Sequence, residues 1–194
     1  MLDQRPRGFS LIEVAIALVI LGFLMTMGLP AFQSFLANSR LRATTDTFYS
    51  GLQSARGQAV TRNVPVQFVM TTDDLSQAID PNTTNLSTSG LDWLTRTADP
   101  AIPGNFILLS SKPSREGSGG TPSVQVASTV SSVTFNSLGG TTLGGAATLQ
   151  FTNPIGGACA PAGPMRCLNI VVSIGGQIRM CDPAVTAASD TRKC

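Results

Sequence analysis

Histidine is absent from this chain of 194 residues, and lysine occurs only at Lys112 and Lys193. Without histidine the commonest general base and metal ligand is missing, and no other catalytic constellation takes its place. Cysteine is missing from everything before Cys159, and no two cysteines stand as C-x-x-C, so a zinc site lacks both its spacing and its histidines. Two glycine-rich stretches, 117–120 and 139–145, contain neither phosphate-binding motif, and no helical pattern follows them. They read as flexible connections. Excess charge is lacking too: the formal net charge is +2, and taking off 1–8, with its two arginines and one aspartate, leaves +1. Nothing in that balance steers the chain to nucleic acid. The sequence predicts no enzyme, no cofactor and no metal.

What is present is a long apolar run, RGFSLIEVAIALVILGFLMTMGLP, from Arg7 to Pro30, broken by the single acid Glu13. As a helix, Phe9 to Leu29 would be roughly 31 Å long, close to the roughly 30 Å hydrocarbon layer of a bilayer. That is longer than the core of a cleaved secretory signal. A carboxylate inside such a span costs about 2.5 to 3.5 kcal/mol at the centre and less near an end, so Glu13 either has a function or snorkels to the head groups. Pro30, lacking an N–H, is expected to interrupt the helix at the membrane edge and kink it. Beyond it Leu41, Phe48, Leu52, Ala55 and Ala59 recur on one helical face, with Arg42, Asp46, Gln53 and Arg56 opposite, until Val64-Pro65 ends the pattern. The expected divisions are a transmembrane helix over 9–30, its amphipathic half over 31–63, and a β-rich domain over 64–194.

In that domain Val64, Val66, Phe68 and Met70 alternate, and the proline at the start of the run suits an edge strand. Residues 71–90 read as exposed loop, and Trp93 is expected at a sheet edge. Further strands are expected at 106–110 and 123–127 and within SSVTFNSLGG, AATLQFTNP and CLNIVVSIGGQIRMCDP. In the last of these a three-residue turn, Ile174 to Gly176, sets Val172 opposite Ile178 and Ile170 opposite Met180. That register leaves Cys167 and Cys181 as diagonal neighbours, about 7 to 8 Å apart and long for a bridge. Local disulfides, Cys159 with Cys167 and Cys181 with Cys194, are favoured, although three connectivities are open to four cysteines.

GFSLIEVAIALVILG resembles the class III leader of type IV prepilins and type II secretion pseudopilins: a glycine, then phenylalanine, and a glutamate at the fifth position after the glycine. The resemblance implies a leader peptide over 1–8, cut by prepilin peptidase between Gly8 and Phe9, and N-methylation of Phe9. It also implies pairing of Glu13 with the terminal amine of a neighbouring subunit, and a bacterial source, so the sequons at Asn82 and Asn85 carry little weight. The later order of elements, with SSVTFNSLGG and a final hairpin ending in a cysteine, resembles the FimU and FimT minor pilins and the GspH pseudopilins. This implies an α+β, type IV pilin-like fold, a long helix packed on antiparallel sheet. The localisation implied is a single pass of the inner membrane with a cytoplasmic N-terminus and a periplasmic domain, then a surface pilus. Other minor pilins and the major pilin are the implied partners, and the function is assembly of the pilus at its tip. The alternatives are an H-type pseudopilin of type II secretion and a FimT-like DNA-binding pilin. FimT-like members carry G-R-x-R in the final hairpin, whereas here Gly176-Gln177-Ile178-Arg179 lacks the first arginine. Arg166 and Arg179, with Arg192 and Lys193, remain as a weak DNA-contacting patch or as solvated surface charge.

Overall fold

The computed structural model describes residues 10–77, 79–114 and 123–194, apart from the side chains of 26–31. Helix α1, Leu11–Arg62, is 52 residues long. It starts after Ser10, whose carbonyl accepts hydrogen bonds from the Glu13 and Val14 N–H groups at 3.0 and 3.2 Å. The helix is unbroken at position 30, where an interruption was expected. Proline deletes one backbone hydrogen bond, and in a helix this long the turns on either side keep theirs. At its other end Asn63 takes a left-handed conformation, φ 54°, and Pro65 keeps Val64 from continuing it.

Among the described residues eight strands follow: β1 Val66–Thr71, β2 Asp92–Ala98, β3 Phe106–Lys112, β4 Gln125–Ser128, β5 Ser132–Phe135, β6 Ala147–Thr152, β7 Leu168–Val172 and β8 Ile178–Cys181. They form two four-stranded sheets, one in the order β3-β2-β1-β5 and the other β4-β6-β7-β8. Every pairing is antiparallel. The chain changes sheet between β4 and β5, a corner pinned to both: Thr129 N–H donates to Thr148 and Met70 N–H to Ser131.

The strand order corrects two expectations. The strand after Pro65 is not an edge, because β5 returns to pair with β1 on the side away from β2. Pro65 stands just before the strand, so no ladder N–H is lost, and its carbonyl accepts from the Thr97 hydroxyl at 2.8 Å. Trp93 is not at an edge either, since β2 lies between β3 and β1. The last hairpin has the expected register, Ile170 against Met180 and Val172 against Ile178. Ser173 N–H closes its three-residue turn on Gln177 at 2.9 Å.

The start of the 139–145 stretch is braced rather than loose. Asn136 Oδ1 accepts from Leu138 and Gly140 N–H, both at 3.0 Å, and Thr141 N–H reaches Ile174 at 2.8 Å. Gly176, at φ +77°, abuts the Gly139 carbonyl, where any Cβ would collide. Arg56, expected on the polar face of the helix, turns its Nε to the same carbonyl at 3.0 Å.

The core lies between α1 and both sheets. Leu41, Phe48, Leu52, Ala55 and Ala59 are all buried, as their spacing predicts. Phe48 meets Phe68 of the first sheet and Phe151 of the second edge-on, with centroids 6.0 and 5.1 Å away. Thr45 joins this face although polar, its hydroxyl donating back to the Leu41 carbonyl at 2.8 Å. Trp93 tilts against Phe68 at 5.3 Å and lies flat against the helix at Gly51, where a Cβ would stand 2.7 Å from Trp93 Cζ2.

Gly51→Ala sets two effects against each other: alanine improves helix propensity by about 1 kcal/mol, while overpacking a filled core costs typically about 1 to 3 kcal/mol. Both neighbours of the ring are themselves buried, so the second effect wins. Denaturant unfolding should show a net loss on the order of 1 kcal/mol; a gain in stability would contradict the packing described.

Candidate functional site

The described side chains in the first part of α1 lie open on the surface. Every described side chain from 11 to 25 is exposed, Leu11 at 88% and Val19 at 73%, and the exposure resumes with Phe32 and Phe35. An apolar surface of this extent marks a place where a membrane or another protein is meant to lie. Among the described residues no helix is long and apolar enough to cross a membrane. The described apolar side chains stop at Met25, short of the roughly 20 residues a span needs, and Gly8 and Phe9 lie outside the described residues. Glu13 stands in the first helical turn, where free N–H groups and the helix dipole favour an acid.

Exposure ends sharply at Ala37, only 4% exposed. There the connection between β6 and β7 closes round the helix like a collar. Asn153 Nδ2 donates to the Ala37 carbonyl at 3.2 Å, and Arg166 N–H donates to Asn38 Oδ1 at 2.8 Å. Gly156, ending the 3-10 turn Pro154–Gly156, comes so near that a Cβ would stand 2.7 Å from that of Ala37. Met165, fully buried, fills the space beside it. A disulfide from Cys159 to Cys167 ties the collar's loop. The sequence did not point to Asn38 or Asn153, because an isolated asparagine carries no periodic signal.

The second disulfide, Cys181 to Cys194, folds the C-terminal tail back onto β8. Asp182 N–H donates to the Arg192 carbonyl at 2.7 Å, and the Arg192 guanidinium grips Asp190 at 2.7 and 3.1 Å. Between this tail and α1 lies a cavity of about 290 Å³, lined by Arg42, Arg166, Leu168, Met180, Asp182 and Arg192 among others. Arg179 alternates with Met180 along β8 and so faces the other side of the sheet. Arg166 and Arg179 therefore do not share a face, and Arg192 is already engaged with Asp190. Of the sequon asparagines, Asn85 holds Asp73 through its side chain at 2.8 Å and its N–H at 2.7 Å, which keeps that carboxyl below its usual range. Asn82 Oδ1 accepts from Phe106 N–H at 2.7 Å.

A long helix emerging from a collar on two antiparallel sheets is a type IV pilin-like α+β fold. It is similar to the structure of the type IV minor pilin FimU of Pseudomonas aeruginosa, with 14% identity, a TM-score of 0.52, and coverage of 75% of this chain and 91% of that one. It is also similar to the minor pseudopilin EpsH from the type 2 secretion system of Vibrio cholerae, with 10% identity, a TM-score of 0.50, and coverage of 75% and 99%. No relative matches among curated protein sequences.

Residues 44–176 match the family model described as type II transport protein GspH, and residues 3–29 match the prokaryotic N-terminal methylation motif. The chain belongs to the GspH family. It is a minor pilin or pseudopilin, a structural protein and not an enzyme, and its motif implies processing by prepilin peptidase and assembly with other pilins.

The tail offers a test by pH. Hydrogen bonds from the Arg192 side chain first, and then from its N–H, hold the Asp190 carboxyl down to about 2. A carboxyl lowered on folding stabilises the folded tail above its unfolded value near 3.9, and that contribution is lost as pH falls through the folded value. Carboxyl-carbon NMR should give a midpoint near 2 for Asp190. Arg192→Ala should return it toward about 3.9, and a native midpoint already there would contradict the bidentate contact.

Proposed function

We propose that this chain is a minor pilin of a type IV pilus that helps to initiate fibre assembly at the tip. In this reading prepilin peptidase cuts between Gly8 and Phe9, Phe9 is N-methylated, and the apolar half of α1 holds the subunit in the inner membrane until it enters the fibre. Glu13 then pairs with the terminal amine of a neighbouring subunit; an acid that is expensive alone in an apolar setting becomes tolerable beside a cation. The observation that carries the reading is the change at Ala37: from there one face of the helix, through Leu41, Phe48, Leu52, Ala55 and Ala59, is buried against the domain, and the described apolar side chains before it are uncovered. The likeness to FimU and the final hairpin ending in MCDP support the pilus side.

A second reading, an H-type pseudopilin of type II secretion, draws on the description of the matching family and on the likeness to EpsH. One chromosomal substitution tests both. Glu13→Ala should leave the chain present in the membrane fraction, abolish surface fibres and twitching, and leave protein secretion intact. Loss of secretion with normal twitching would favour the pseudopilin, and normal behaviour in both assays would overturn the assembly role of Glu13.

A further inference from the structure

We propose that the cavity between α1 and the C-terminal tail is a docking pocket for an acidic peptide segment with an apolar flank, supplied by a neighbouring subunit. The identity of the occupant as a subunit rests on the assembly role above; the pocket's chemistry does not. Its floor is apolar, from Leu168 and Met180, and its rim carries Arg42, Arg166 and Arg192 against one acid, Asp182.

What matters is which of these charges are spent. Asp182 keeps its negative charge, its Oδ1 accepting from Ala184 N–H at 2.9 Å, while Asp190 is taken up by Arg192. Arg42 meets Asp46 only at 4.0 Å, with both side chains more than half exposed, a contact worth little in water. The Arg166 guanidinium has no carboxylate partner among the described residues, and its contact with Asn38 is made by the backbone N–H instead. Arg166, and Arg42 by giving up its loose contact with Asp46, can receive a carboxylate, for which the guanidinium fork is suited.

The shape selects the same occupant. At about 290 Å³ the cavity has room for one or two side chains, at the lower limit of ordinary ligand pockets. Duplex DNA would find no use for the apolar floor and needs a row of cations, while Arg179 lies on the far face of β8. An acidic residue beside an apolar one uses floor and rim together. The walls are also preformed, the tail by the Cys181–Cys194 bridge and the helix side by Asn38, so little ordering is needed on binding.

The test titrates the full chain in detergent micelles with the peptide acetyl-Gly-Glu-Leu-Glu-Gly-amide, its Gln-for-Glu counterpart, and a short DNA duplex. Saturable binding of the Glu peptide is expected, with the Gln peptide at least about tenfold weaker. Arg166→Glu and Arg42→Glu should each weaken it by about tenfold without moving the unfolding midpoint, and Cys194→Ser should weaken it by releasing the tail wall. Equal binding of both peptides, indifference to both arginine substitutions, or binding of the duplex in place of the peptide would overturn the proposal. Because the assay needs no fibre, peptide binding alongside normal fibres in the Glu13→Ala strain would leave the pocket standing while the assembly reading fell.

Discussion

The ring of Phe48 is the point on which this molecule turns. It meets Phe68 on one sheet and Phe151 on the other, a ring contact to both from one side chain of the helix. The two sheets are otherwise joined where the chain passes from one to the other, before and after β4 and again after β5. The helix supplies the common surface, and its stripe from Leu41 to Ala59 is buried in one core with side chains of both sheets. Gly51 belongs to the same constraint: the ring of Trp93 lies against bare backbone there, which draws helix and sheet close.

Fixing the helix in this way fixes everything in front of it. Because α1 continues without a break, the position and rotation set by Phe48 pass along to the uncovered half, whose direction the domain then dictates. The collar makes the hand-over sharp. Asn153 and Asn38 bond helix and loop side by side, and Gly156 lets the loop approach to van der Waals distance. A domain built like this presents its apolar helix at a set angle, and its second disulfide similarly sets the tail beside the same stretch of helix.

Much of this was legible in the residues because the signals are local. A helical face repeats every few residues, and the turn from Ile174 to Gly176 fixes the register of its own hairpin. The two disulfides follow the same logic, joining cysteines near in sequence. What could not be read depends on distant strands. Whether β1 is an edge is decided by β5, which arrives more than sixty residues after β1 by way of the other sheet, and no pattern within VPVQFVM records that; β2 is closed on its far side by β3. Gly51 did carry a signal, a glycine inside a helical stripe, whose meaning only Trp93 supplies. The grouping of Arg166 with Arg42 was likewise hidden, since it depends on how the tail and collar fold back on α1. The processing motif is the opposite case: Gly8, Phe9 and Glu13 are plain in the sequence, while the first two lie outside the described residues.

The account stands on the N-terminus being made for cutting. Intact mass and N-terminal fragmentation of the chain recovered from cells with an active prepilin peptidase test this directly. The account predicts a chain that has lost Met1 to Gly8 and begins with a singly methylated Phe9. A chain still beginning at Met1 in those cells would contradict it.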